Sequence, residues 1–127
     1  MIRLTLPEPP SANVYWRMGR GKAGRHMILS PEARAYKGAG RLAYAHATGT
    51  LRVAYPTEDV VVTLRWFRGR KAGDLDNRIK QVLDALAGCV YTNDAQVTVL
   101  HAYRYDAPKR GRMEVEIAVV LTLHTGL

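Results

Sequence analysis

Val60-Val-Val-Thr-Leu-Arg-Trp-Phe67, then Arg68-Gly-Arg-Lys71, then Asp74-Leu-Asp-Asn-Arg-Ile-Lys80-Gln-Val-Leu-Asp84-Ala-Leu86 is the stretch whose reading decides the fold. Its first eight residues are β-branched and aromatic for the most part, suit a pleated, half-buried surface, and predict a strand. A basic turn follows. Ile79, Val82, Leu83 and Leu86 then recur at helical spacing and form one apolar face. This helix begins near Asp74 to Asn77 and ends before Gly88, which is suited to the left-handed residue just past a helix end. A strand that turns directly into a helix is the kernel of the domain.

Working outward, Val97 to Tyr105 and Met113 to Leu123 read as strands, joined by the Pro- and Gly-punctuated turn Asp106 to Arg112. Met113, Val115, Ile117, Val119, Leu121 and Leu123 alternate, and we expect all six on a core face. Toward the N-terminus, Ile2, Leu4 and Leu6 alternate in a short strand that stops at Pro7. Asn13 to Leu29 reads as a basic hairpin with a glycine-loosened tip. Ser30-Pro31-Glu32 is a helix start: a capping hydroxyl, a proline at the first position and an acid at the positive end of the dipole. That helix runs to about Ala47, with Tyr36, Ala39, Ala43 and Ala47 as its apolar stripe. Arg34, Lys37 and Arg41 lie on another face, either as phosphate contacts or as a solvated surface. The order β, hairpin, α, β, α, β, β implies a single α+β domain over residues 1–127, with a mixed β-sheet and two main helices.

Composition narrows the function. The 127 residues suit one domain, and 19 Lys and Arg against 11 Asp and Glu leave a net charge of +8. That surplus favours a polyanionic partner. Between Pro9 and Thr57 the only acid is Glu32, whereas four of the six aspartates fall between Asp74 and Asp94. Cations that hold phosphates around a knot of acids that holds a metal ion are what a metal-dependent nuclease needs. The lone Cys89 cannot close an internal disulfide, and no stretch has the length of a signal core or a membrane span. We therefore expect a soluble, cytoplasmic protein without a membrane partner. His26, His46, His101 and His124 lack zinc-ligand spacing, and no phosphate-cradling Gly-rich loop or Cys–His pairing is present.

Within the acidic knot, Asp74 and Asp76 sit at i and i+2. In an extended segment they point the same way, with Leu75 turned to the core. Asp94 joins them if the following strand pairs near the helix. A few carboxylates satisfy Mg²⁺, a hard cation that keeps several waters and takes oxygen ligands. Lys80, four residues after Asp76, is placed to stabilise charge that develops at the phosphate. Plainer roles exist for each: Asp74 or Asp76 as a helix cap, Lys80 in surface pairs with Asp76 or Asp84, Asn93-Asp94 as a turn. A non-enzymatic basic DNA- or RNA-binding protein would explain the charge, but not the gathering of acids.

Asp74-Leu-Asp-Asn-Arg-Ile-Lys80, Asp84-Ala-Leu86 and Asn93-Asp94-Ala-Gln-Val97 resemble the signature of the RusA Holliday-junction resolvases. Pro9-Pro-Ser-Ala-Asn13-Val-Tyr15-Trp-Arg17 and Ser30-Pro-Glu-Ala-Arg-Ala-Tyr36-Lys37 resemble the same family, so the likeness runs from about Leu6 to Val97. It implies a homodimeric, Mg²⁺-dependent crossover junction endodeoxyribonuclease of recombination and repair, often phage- or prophage-encoded, with Mn²⁺ able to substitute. Its substrate would be four-way junction DNA. The catalytic aspartates would be Asp74, Asp76 and Asp94, and the catalytic lysine Lys80. Where the family commonly has Asp-Asp this chain has Asn93-Asp94, and only the second position matches the metal ligand. Nucleic acid would be held by Asn13, Arg17, Arg20, Lys22 and Arg25 of the hairpin region and by Arg68, Arg70 and Lys71 of the turn. Tyr15 would join them by stacking on exposed bases, with burial the alternative.

Overall fold

The computed structural model describes residues 1–21 and 24–121, with the side chains of residues 17–27 outside that description. Its elements are β1 (Ile2–Leu6), α1 (Ala12–Tyr15), β2 (Trp16–Gly21), β3 (Gly24–Leu29), α2 (Pro31–Thr48), β4 (Val60–Arg68), α3 (Asp76–Leu86), a 3₁₀ turn (Asp94–Gln96), β5 (Val97–Asp106) and β6 (Arg112–Val119). Four strands form one mixed sheet in the order β1-β6-β4-β5, and β2 pairs with β3 as a separate hairpin. The pairs β1–β6 and β4–β6 are antiparallel, whereas β4–β5 is parallel, so α3 is the crossover between parallel neighbours. The expected α+β domain is the one observed.

Alternation builds the core. Val60, Val62, Leu64 and Trp66 of β4 are buried, as are Leu4 and Leu6 of β1 and Met113, Val115 and Ile117 of β6. They meet Tyr36 and Tyr44 of α2 and Val82, Leu83 and Leu86 of α3, so these two helices cover one face of the sheet. The core-facing run of β6 is shorter than its sequence pattern suggests. Val119 is 37% exposed and Leu121 85% exposed: β4 begins at Val60, opposite Val119, and just past that pair the Val120 amide donates to the Asp59 carbonyl at 2.9 Å as the ladder ends. Leu123 lies outside the described residues.

Helix α2 starts as its sequence dictates: Ser30 Oγ accepts from the Ala33 amide at 3.1 Å, and Pro31 occupies the first turn. Its buried stripe is Ala33, Tyr36, Gly40 and Tyr44, one step round from the expected one, and Ala47 is exposed. The large Tyr44 ring, not the small alanines, decides which face turns inward. At the end of α3, Gly88 adopts φ 81°, the left-handed conformation that favours glycine. The expected hairpin is also shorter. The Ser11 carbonyl accepts from the Val14 and Tyr15 amides, which winds residues 12–15 into one helical turn before β2 begins at Trp16.

Candidate functional site

Asp76 opens α3 and Asp74 stands just ahead of it, both exposed. Leu75 between them is helical, at φ −59° and ψ −47°, and the Asp74 carbonyl accepts from the Asn77 amide at 3.3 Å. The segment is therefore not extended, and strand alternation does not align the two carboxylates. In helical geometry two residues advance by about 200°. Leu75 does turn inward against the core, as expected. No side-chain cap forms at the start of α3, so neither aspartate is spent in the plainer role of a helix cap.

Asp94 opens the 3₁₀ turn before β5. Because β5 runs parallel to β4, with Val97 opposite Val60 and Asp106 opposite Arg68, the α3 crossover returns the chain to the end where β4 begins. Asp74 remains near the other end: the neighbouring Gly73 carbonyl accepts from Arg68 and Arg104, at the ends of β4 and β5. The side chain that reaches Asp94 is Lys80, whose ammonium donates to the Asp94 carboxylate. The structure therefore joins Lys80 to Asp94 but does not close the three acids on one point. Among the described residues no three His, Cys, Asp or Glu side chains are grouped to hold an ion. The donor chemistry, oxygen throughout, suits a hard cation. Asn93 caps the 3₁₀ turn. Its side chain accepts from the Ala95 amide at 2.8 Å, and its own amide donates to Gln96 at 2.9 Å.

The residues expected to hold nucleic acid divide. Arg70 and Lys71 are exposed on the turn after β4, and Asn13 is exposed on α1. Lys22 and the side chains of Arg17, Arg20 and Arg25 lie outside the described residues. Arg68 and Tyr15 turn inward instead. Arg68 is 7% exposed and binds the Asp106 carboxylate at 2.7 Å and the Gly73 carbonyl at 3.1 Å. The pairing lowers the Asp106 carboxyl pKa and raises that of the Arg68 guanidinium. Arg68 belongs to the architecture of the turn and is not free to meet a phosphate. Tyr15 is fully buried, so its ring is not open to a base, and its hydroxyl donates to Asp84. Burial, reinforced by that bond, raises the hydroxyl pKa. Of the α2 stripe, Lys37 bonds Asp84, whereas Arg34, which also bonds the Leu29 carbonyl, and Arg41 are both exposed.

Sequence reasoning missed a cluster beside Asp74. Glu8 accepts from Trp66 Nε1 and from the Gly69 amide, each at 3.0 Å. The Arg78 guanidinium lies 5.0 Å from the Trp66 ring centroid and donates to the Pro9 carbonyl. Together with Arg70 and Ala72 these side chains line a cavity of about 250 Å³. Arg78 stands inside the Asp-Leu-Asp-Asn-Arg run and could have been noticed there. Nothing local marks Glu8, whose partners are about 60 residues away.

A small basic α+β domain with acids at a helix start and a lysine–aspartate pair beside that helix has the make-up of a protein that handles phosphodiesters. Residues 7–118 match the family described as endodeoxyribonuclease RusA, and the chain belongs to that family. The proteins of Shigella sonnei (strain Ss046) and Escherichia coli (strain K12) named crossover junction endodeoxyribonuclease RusA are each 32% identical to it over 115 residues, covering 90% of this chain and 91% of theirs. The protein of the same name from Enterobacteria phage 82 is 31% identical over the same share.

Proposed function

We propose that this chain is a structure-selective endodeoxyribonuclease that resolves four-way DNA junctions by paired hydrolysis of phosphodiester bonds. The observation that carries the reading is the family match over residues 7–118. Supporting it, the Asp74 and Asp76 carboxylates are exposed at the start of α3, and the Lys80 ammonium stands beside Asp94.

In this reading Asp74, Asp76 and Asp94 would close on Mg²⁺ when it binds, with Mn²⁺ able to substitute. Such an ion, when bound, supplies an acidified water and offsets charge at the phosphate. Lys80 stabilises charge that builds on the phosphate oxygens. Arg70, Lys71 and the cations of the β2–β3 hairpin hold the DNA backbone. A two-fold symmetric junction calls for a two-fold symmetric enzyme, so the active species is a homodimer acting on chromosomal or phage DNA in the cytoplasm.

The test is incubation with a labelled synthetic four-way junction, with and without Mg²⁺, for the wild type and Asp76→Asn. We expect paired nicks only with wild type and metal, and junction binding by the variant that persists or tightens as repulsion of phosphate is relieved. Binding without cleavage at any metal concentration would return the chain to a non-enzymatic nucleic-acid-binding role.

A further inference from the structure

The β2–β3 hairpin is fixed to the body of the domain at its root. The Tyr15 carbonyl, at the entry to β2, accepts from the Ser30 amide at 3.0 Å. The Leu29 carbonyl, at the exit from β3, accepts from Arg34 of α2 at 3.2 Å. The third tie is made by a side chain of α3. Asp84 Oδ2 accepts from the Tyr15 hydroxyl and from Lys37 Nζ, the latter at 3.1 Å, while the Asp84 carbonyl takes a second bond from Lys37 at 2.9 Å. One carboxylate thus joins the hairpin root, α2 and α3. Tyr15 is buried and the Asp84 side chain is 23% exposed, so the tie is largely shielded from water.

Its place on α3 matters. Asp84 follows Lys80 by one helical turn and Asp76 by two, about 6 and 12 Å along the axis. A rigid helix therefore links the group that holds the hairpin to the groups assigned to chemistry. We propose that Asp84 is a positioning residue: through Tyr15 and Lys37 it sets the hairpin, and hence the DNA backbone held by its cations, against the acidic start of α3. This rests on the junction-cleaving function proposed above. The hairpin's cations survive loss of the tie, so affinity is largely kept. What is lost is the placement of the scissile phosphate, and misplacement by about 1 Å can cost on the order of 10²-fold in rate.

Tyr15→Phe removes one hydroxyl from a buried ring, and Asp84→Asn keeps the shape while removing the charge that Lys37 needs. For each, single-turnover cleavage at saturating protein, junction affinity without metal, and hydrogen exchange of the hairpin amides are compared with wild type. We expect the rate to fall by about tenfold or more, affinity to stay within about threefold, and the amides of residues 16–29 to exchange faster. The double variant should be no slower than the slower single, because the two groups act through one another. A rate within about twofold of wild type for Tyr15→Phe would overturn the proposal whatever its melting temperature, since a merely structural bond lowers stability and leaves the saturated rate alone. If Asp84→Asn does not fold, Tyr15→Phe decides. If the wild type cuts no junction, the proposed function fails separately, and hairpin exchange in Tyr15→Phe decides: unchanged exchange overturns the tie and faster exchange upholds it.

Discussion

Truncating Lys80 to alanine separates two accounts of the same ion pair. The Lys80 side chain is 60% exposed and its partner Asp94 29% exposed, so water screens much of their attraction. Exposed pairs of this kind contribute about 0.2–1 kcal/mol, and alanine's slightly better helix propensity offsets part of that. If the pair is only structural, Lys80→Ala lowers the melting temperature by no more than about 4 °C and leaves the rate unchanged. If the ammonium stabilises transition-state charge, its loss costs about 10²–10³ in rate, or roughly 3–4 kcal/mol, with junction affinity little altered. In the rate the two outcomes differ by roughly 3–4 kcal/mol, well beyond the error of the measurement. Single-turnover cleavage at saturating protein, beside a thermal melt, reads both. We expect a folded, junction-binding, slow variant. A destabilised variant with full activity would refute the catalytic assignment and leave Lys80 as a surface partner of Asp94.

Junction affinity should fall with salt at a log–log slope of about −5, as for roughly 6 phosphate contacts; a flat response by anisotropy would exclude backbone-driven binding. The folded-state pKa of Asp106 is held down by Arg68, so its stabilisation is present above the ordinary carboxylate pKa of about 4 and is lost as pH falls through the lower folded value. The melting-temperature gap between wild type and Asp106→Asn should therefore narrow from pH 6 to pH 2. Gly38→Ala should stabilise by about 0.5–1 kcal/mol, because the position is exposed in α2 and an added Cβ meets nothing within 4 Å. Gly111→Ala should destabilise by about 1–3 kcal/mol in a denaturant melt, since its Cβ would overlap the Glu8 carboxylate that ties down Trp66 and Gly69.

What the sequence made legible was what local chemistry decides. The Ser30-Pro31-Glu32 start, the left-handed Gly88 and the alternating β4 each require a particular residue at a particular place, and each is found there. Where the reading slipped, a distant partner decided. Tyr44 outweighs small alanines for the inner face of α2 only once α3 and the sheet lie beneath it. β6 stops at Val119 because β4 starts at Val60. The inward turn of Arg68 was within reach, because Val60, Val62, Leu64, Trp66 and Arg68 share one parity and hence one face of β4. A basic residue in phase with four buried apolar ones needs an internal acid, and Asp106 is that acid.

Internal pairing of this kind changes what a net charge of +8 implies for binding. Among the described residues Lys37, Arg65, Arg68, Lys80 and Arg112 each hold an acid, at Asp84, Glu116, Asp106, Asp94 and Glu114 respectively. These pairs remove equal numbers of cations and acids, so the surplus is untouched while its location sharpens. Arg34 and Arg78 are further drawn to backbone carbonyls. Arg70 and Lys71 stay exposed on the turn that precedes Asp74, so these two cations lie next in sequence to the two uncapped acids. A backbone phosphate held by that turn is thereby brought toward the start of α3. We expect a polyanion at this part of the chain to meet Arg70 and Lys71 at the turn before α3 ahead of the basic side chains already committed to internal pairs.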